Sequence, residues 1–443
     1  MSQPGPVVER PLHLLALSAR SEPELLHLVH RYERYLAVHP ELSLADLCYT
    51  VNTKAAHDAH RLAFYADETA SLHEQLKDFI AHGEWPRGSQ GQGTPHQQPK
   101  VAFLFSGLGS EYVNMGRQLY ETQPTFRAAL DQCAEIVRPD LRRPLLSLFY
   151  PESGSESALY EIEYMVTVSF AVQYALAQMW GAWGIVPDLI LGHSTGGYVA
   201  GCVAGCLSVE DGLNWAVTYG RLATALSEDG LMAAVFAPEE RVAAALAPYA
   251  DQVSLAAVNS PKNTVISGSK KAICAITEAL KAEGLTVRQL AFSHAGHSPL
   301  IDPLMPTIAD VLGRMDISPP RLPLVSPLTG EIIEPGICPD RAYWVNVQRQ
   351  TTRFLQAMQT LFEQGCNIFL EIGPHTHLLT LGKACHPTSA GAWLPTLRRG
   401  RQDWPLLLDS LCTLFNRGVE VSWSGFDQDY ERHRLSGRGI PYG

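Results

Sequence analysis

One serine in this chain sits where a serine can become a nucleophile. Leu189 to Ala200 reads LILGHSTGGYVA, which places Ser194 between Gly192 and Gly196 in the pattern G-x-S-x-G. A serine hydroxyl is a poor nucleophile until a base takes its proton and donors stabilise the developing oxyanion. A strand-to-helix turn meets part of that need. Its glycines permit a sharp bend, and the helix N-terminus aims backbone N–H groups at negative charge. The pattern alone is a modest signal, because small residues often flank serines in turns. The base is expected to be a histidine, and the chain has 16. His294 and His297 stand out, in FSHAGHSPLIDPLMP, on a short loop ahead of a helix.

The surrounding text supplies elements able to hold these groups. VAFLF at 101–105, LILGH at 189–193 and NIFLEIGP at 367–374 are apolar runs of the kind a parallel strand buried on both faces needs. The first leads into SGLGSEYVNMG, a glycine-bearing turn before a helix. Residues 159–183 read as a long apolar helix, and a further helix begins near Thr195. Between Gly230 and Ser293 the text changes. A strand LMAAVFA, a helix EERVAAALAPYA, strands VSLAAVN and NTVISG, another helix and a last strand TVRQLAFS give the order βαββαβ. That order predicts a ferredoxin-like unit inserted into the larger domain. At the N-terminus LHLLAL reads as a strand. Ser21 then opens a helix with Glu24 placed for a capping box, and helical text continues to about residue 83. Glu84 to Pro99, EWPRGSQGQGTPHQQP, reads as a flexible linker or exposed loop and a domain boundary. No internal repeat is visible.

Bulk properties narrow the class. A chain of 443 residues, 46% hydrophobic and 18% charged, can bury a large core in two or three domains. A formal charge of −11 argues against nucleic acid as a partner. The nine cysteines lack paired spacing, as free thiols in a reducing compartment would. Cys202 and Cys206 are four apart on a predicted helix with no partners to complete a metal site, and they read as core residues. No signal-peptide pattern is present, and no apolar run approaches the ~20 residues that span a bilayer. A cytosolic globular protein without a metal site is expected.

Taken together, the motifs resemble the acyltransferase domains of modular polyketide synthases, which are related to malonyl-CoA:carrier-protein transacylases. VAFLFSGLGSEYVNMG is similar to FxFPGQGSQYxGMG, and GHSTGGYVAGCVAGCLSVEDG to GHSxGExxAAxVAGxLSLEDG. AAVNSPKNTVISG is similar to AAxNxPxxxVxSG, SHAGHSPLIDPLM to SHAFHSPxMDPxL, and FLEIGPHTHL to FxExGPHPxL. LLALSARSEPELLHLVHRYERYL resembles the linker between ketosynthase and acyltransferase, and EVSWSGFD with GIPYG resembles the tail that follows the domain. The resemblance implies an α/β-hydrolase-like large subdomain with a parallel sheet at 100–229 and 294–395. It also implies a ferredoxin-like small subdomain at 230–293, an α/β linker subdomain at 1–99 and a tail at 396–443. By position it makes Ser194 the nucleophile, His297 the general base and the backbone N–H groups of Leu108 and Thr195 the oxyanion hole. His193 would support the turn, Asn259 would line the site, and a backbone carbonyl rather than an acid would orient the base.

The departures bear on substrate. Family members that load malonyl or methylmalonyl hold the free carboxylate with an arginine on the helix after the nucleophile, a position taken here by Tyr219. Arg221 is two residues on, on roughly the opposite helix face. A neutral phenol cannot replace a bidentate guanidinium. Family glutamines become Leu108 and Val166, which together with Tyr219 suggests a pocket for an uncharged acyl group. Gly296 replaces a bulky Phe, which either leaves room for a larger chain or merely eases the loop. Gly197 and Val347 stand where the family has Glu and Asn, with no clear reading from sequence.

The resemblance therefore implies a ping-pong transfer from a CoA or carrier-protein thioester, through acyl-Ser194, to the phosphopantetheine thiol of an acyl carrier protein. No bound cofactor is expected. A ketosynthase and other synthase modules are the expected partners, with no membrane and no nucleic acid. An acyl hydrolase or a chain-releasing acyltransferase shares the same residues, and a degenerate docking module is the non-enzymatic alternative. The chain reads as an excised domain or as a standalone enzyme with retained flanks.

Overall fold

The computed structural model describes residues 8–53, 57–83, 99–152, 154, 157–224, 229–290, 295–435 and 440–441. The expected linker from Glu84 lies outside the described residues except for Pro99. So do His294, the end of the expected strand TVRQLAFS and most of GIPYG.

Strand β1 (His13–Ala19) is followed by the helix Glu22–Val38, whose N-cap Ser21 accepts from the Glu24 N–H. Strand β2 (His60–Ala66) then pairs antiparallel with β1, full length and in register from His13–Ala66 to Ala19–His60. This corrects the expectation of unbroken helical text to residue 83. HRLAFYA is only seven residues long, and its pairing with β1, not its own periodicity, makes it a strand. Three helices cover this ribbon: Glu22–Val38, Leu44–Asn52 and Thr69–His82. Leu15, Leu17, Leu62, Phe64, Tyr32 and Leu76 form a core of their own here.

Six strands build the central sheet: β3 (Val101–Phe105), β4 (Leu189–Gly192), β9 (Leu324–Val325), β10 (Ile332–Ile333), β11 (Ile368–Ile372) and β12 (Ala392–Pro395). They lie in the order β10–β9–β4–β3–β11–β12, all parallel except the edge strand β10. The apolar runs VAFLF, LILG and IFLEI are buried along their full length. One face packs on the helices Ile162–Ala182 and Gly196–Ala204, with Pro124–Val137 and Val209–Thr224 packed in turn on Ile162–Ala182, and the other face packs on Phe354–Glu363 and His377–Cys385. Burial on both faces is why these strands show no alternation. The helix Ile162–Ala182 is buried nearly all round, which explains its apolar text.

Strands β5 (Gly230–Val235), β6 (Val253–Ser260), β7 (Asn263–Ser269) and β8 (Val287–Gln289) form a separate antiparallel sheet in the order β6–β7–β5–β8. With the helices Glu239–Leu246 and Lys270–Ala282 between strands, this is the ferredoxin-like βαββαβ arrangement. The tail returns across the molecule. Phe426 meets Trp183 edge-on at 4.9 Å, and Asp427 pairs with Arg10 at 2.5 Å and Arg432 at 2.8 Å. Among the described residues no helix is long and apolar enough to cross a membrane. Nor is any group of three or more His, Cys, Asp or Glu there placed to hold a metal ion.

Candidate active site

Ser194 stands on the turn between β4 and the helix Gly196–Ala204, with φ of 53°. Left-handed backbone is rare for a residue with a Cβ and collects at functional sites. Its flanking glycines are required by close approach. A Cβ on Gly192 would lie 2.4 Å from Gly196 O, and one on Gly196 would lie 2.4 Å from Phe105 O. The turn is thus wedged against the end of β3, with the His193 N–H donating to Phe105 O at 2.9 Å.

His297 comes 103 residues later in sequence and also has a positive φ, 60°. Its Nε2 is 2.7 Å from Ser194 Oγ, and its Nδ1 is 2.7 Å from the backbone carbonyl of Gln350. A carbonyl can only accept, so Nδ1 carries the proton and Nε2 is left to receive one from the serine. Gln350 caps the C-terminal end of the helix Arg341–Arg349, and the His297 N–H donates to Gln348 O at 2.9 Å. The same helix end therefore holds both the ring and the backbone of His297.

Leu108 and Thr195 flank the serine from two directions. Thr195 is the N-cap of the serine's own helix, and Leu108 lies on the loop after β3. Among the described residues neither backbone N–H has a protein acceptor. The Leu108 loop is held by two buried carboxylates that sequence reasoning missed. Glu371, on β11, accepts from Ser106 Oγ at 2.8 Å and from the N–H groups of Leu378 and Leu379 at 3.1 and 3.0 Å. Glu111 accepts from the Gly109 N–H at 2.8 Å. Between them Gln173 Nε2 donates to Ser106 O at 3.1 Å. Burial pushes both carboxyls up, Glu371 to about 7. The visible signal for Glu371 is a lone charge inside the apolar run FLEI.

His193 Nε2 lies 2.8 Å from Asn259 Oδ1, while Asn259 Nδ2 donates to Asn263 Oδ1 at 3.2 Å. Asn259 Oδ1 thus accepts from His193 Nε2–H. Burial lowers the His193 pKa, so the ring is a neutral brace joining the serine turn to the small sheet. His377, also missed, shares the cavity. Burial first, and then His375, Arg288 and His193, hold its pKa below the ordinary histidine value.

A cavity of about 450 Å3 opens in front of Ser194 and His297, between the serine turn and the small sheet. Leu108, His193 and Asn259 line it. Tyr219, Val166 and Gly296 are not among its described lining residues. Val166 borders a separate void behind Thr195, closed by Phe170, Val199 and Trp215 and too small to admit water. Tyr219 is buried beyond Trp215, stacked on it, and Gly296 is buried in its loop. Arg221 is exposed. Gly197 and Val347 prove to be neighbours, since a Cβ on Gly197 would sit 3.4 Å from Val347 Cγ1.

Comparison with known proteins gives a family and a fold. The family model described as "Acyl transferase domain" matches residues 102–420, and one described as "CurL-like, PKS C-terminal" matches 13–76. The Spectinabilin polyketide synthase system protein NorB of Streptomyces orinoci is 33% identical over 418 residues, covering 93% of this chain and 19% of that protein. The mycoketide-CoA synthase of Mycobacterium tuberculosis is 32% identical over 419 residues, covering 95% of this chain and 10% of that protein. The chain thus spans a fifth or less of the length of these two relatives. The solved acyl transferase domain of ZmaA superposes with a TM-score of 0.85 at 30% identity, covering 97% of this chain and 99% of that one. The malonyl CoA-acyl carrier protein transacylase of Coxiella burnetii, at 23% identity and a TM-score of 0.63 over 71% of this chain and 98% of that one, shares the fold.

Proposed function

The chain belongs to the family of acyl transferase domains, and on that premise we propose that it moves an uncharged monocarboxylic acyl group through an ester on Ser194. Ser194 Oγ attacks the thioester carbonyl while His297 Nε2 takes its proton. The N–H groups of Leu108 and Thr195 hold the oxyanion. The carbon–sulfur bond breaks, and the leaving thiolate of CoA or of a carrier protein recovers the proton from His297. The thiol of a carrier's phosphopantetheine then attacks the ester with His297 again as base, and Ser194 leaves with the returned proton. The observation that carries this reading is the 2.7 Å contact of Ser194 with a histidine whose other nitrogen is committed to Gln350 O.

The uncharged substrate is supported by what the cavity lacks. Arg288, opposite Ala234 on the small sheet, is the only guanidinium among its described lining residues, and it is exposed to solvent. No cation from the helix after the serine reaches the interior, where a malonyl carboxylate would need one. Relatives named as polyketide synthases support a carrier protein and a ketosynthase as partners and a cytoplasmic setting. The separate small sheet within 230–293 and the separate core formed by the first strand pair and its helices support a division at 1–99, 100–229 with 294–395, 230–293 and 396–443. The test is discharge of acyl-Ser194 with and without phosphopantetheine thiol. Rapid discharge only with thiol supports transfer, and equally fast loss to water makes the chain a hydrolase.

A further inference from the structure

The small sheet has an unusual second face. Along β5, Leu231, Ala233 and Val235 point toward the helices Glu239–Leu246 and Lys270–Ala282, packing with Val242, Ile273 and Ile276. Met232 and Ala234 point the other way and join Ala256, Ala257, Val265 and Leu290 in a separate apolar patch. An antiparallel sheet covered by helices on one face ordinarily presents polar side chains on the other. Here Met232, Ala234, Ala256, Ala257, Val265 and Leu290 form an apolar strip on that face, bordered by Arg288 opposite Ala234 and by Ser267 opposite Met232, and the strip forms a wall of the cavity that holds Ser194 and His297. Three of its residues are alanines, so the wall is low and leaves open space above it. Phe236 continues the strand to the rim, where it is 45% exposed.

The space on the other side of the serine is closed. Behind Thr195 the void bounded by Val166, Phe170 and Trp215 admits no water, and Tyr198, Trp215 and Tyr219 are stacked in series beyond it. Among the described residues, the open space beside Ser194 lies toward the small sheet. The remaining cavity edge carries Asn259, Asn263, Arg288, His377 and Thr380, groups that suit the amides and phosphate of a pantetheine arm and not a hydrocarbon.

We propose that the Met232–Ala234–Ala256–Ala257–Val265 face of the small sheet is the bed of the acyl chain, and that the substrate is a medium-length, unsubstituted aliphatic acyl thioester. This rests on Ser194 forming the ester. Alanines at 234 and 256 then set chain length, because a larger side chain at either position fills the space above the sheet.

The experiment is a competition for Ser194 between equimolar acetyl-CoA and octanoyl-CoA, read by intact-protein mass spectrometry. Wild-type protein is expected to carry mainly octanoyl. Ala234→Leu is expected to lower the octanoyl-to-acetyl ratio by roughly tenfold or more, the scale of discrimination that a single methylene commands in an apolar pocket. Met232→Ala removes bulk from the cavity wall, and it is expected to raise the ratio for dodecanoyl-CoA against acetyl-CoA. A wild-type preference for acetyl, or ratios unchanged in both variants, overturns the assignment while leaving the acyl-serine reading intact. If no acyl-CoA gives any ester while a serine-directed phosphonate still labels Ser194, the underlying reading fails as well.

Discussion

The indole of Trp215 and the phenol of Tyr219 lie parallel within 8°, their centroids 5.3 Å apart, with the ring of Tyr198 stacked at 3.4 Å on Trp215. All three rings are essentially without solvent exposure. Tyr219, where the motif resemblance implies an arginine, is therefore the end of an aromatic stack and not an open wall. Substituting Tyr219→Arg would force a guanidinium into this sealed aromatic packing, which costs about 3–5 kcal/mol by analogy with broken buried ion pairs. The variant is expected to melt at clearly lower temperature and to gain no malonyl ester on Ser194. Thermal denaturation and labelling with malonyl-CoA check both halves.

Glu371 sets a pH dependence of stability. Burial raises its pKa from 4.5 to about 7, despite hydrogen bonds from Ser106 and from the backbone of His377, Leu378 and Leu379 that favour the charged form. The folded state therefore holds this proton more tightly than the unfolded state. Stability is greatest below pH 4.5 as far as this group is concerned, falls as pH rises to about 7, and is level above that. The full loss is about 3 kcal/mol, from 1.36 kcal/mol per pKa unit. Urea denaturation across this range should show the slope in the native chain and lose it in Glu371→Gln. An unchanged slope would remove Glu371 as its source.

The two glycines after Ser194 should respond oppositely to alanine. At Gly197 the added methyl meets Val347 Cγ1 at 3.4 Å, an ordinary contact, and the helix gains up to about 1 kcal/mol from better propensity. At Gly196 it meets backbone oxygens of Phe105 and Ser106 at 2.4 and 2.6 Å. Gly197→Ala is expected to keep or raise the melting temperature. Gly196→Ala should lower it and reduce phosphonate labelling of Ser194, because the turn cannot close against β3.

His297→Ala should slow both formation and discharge of the ester by roughly 10²–10⁴-fold, the usual span of general acid–base catalysis. Binding of the thioester should change little, since the arm meets other walls of the cavity. Stopped-flow acylation and thiol discharge measured separately would expose any asymmetry between the two steps.

Much of the site is legible in the residues themselves. The turn around Ser194 is written in its glycines, and the βαββαβ order is written in the alternation of strands and helices from Gly230 onward. His297 is another matter. Nothing local marks it above His294, and only the surrounding motif singles it out. Strand β2 is hidden because HRLAFYA becomes a strand by pairing with β1. Strands β9 and β10, two residues each, leave no periodic trace at all. The apolar second face of the small sheet is hidden for a related reason. LMAAVF reads the same whether its second face packs on protein or borders a cavity. Tyr219 and Val166, expected at the acyl pocket, face a sealed interior instead, because Trp215 stands between them and open space.

The proposed chemistry turns on the identity of the group that Ser194 accepts. Incubating the chain with a panel of acetyl-, butyryl-, octanoyl-, malonyl- and methylmalonyl-CoA, followed by intact-protein mass spectrometry, measures it directly. An uncharged monocarboxylic ester is expected, and it is absent in Ser194→Ala. Preferential formation of a malonyl or methylmalonyl ester on Ser194 would contradict that expectation.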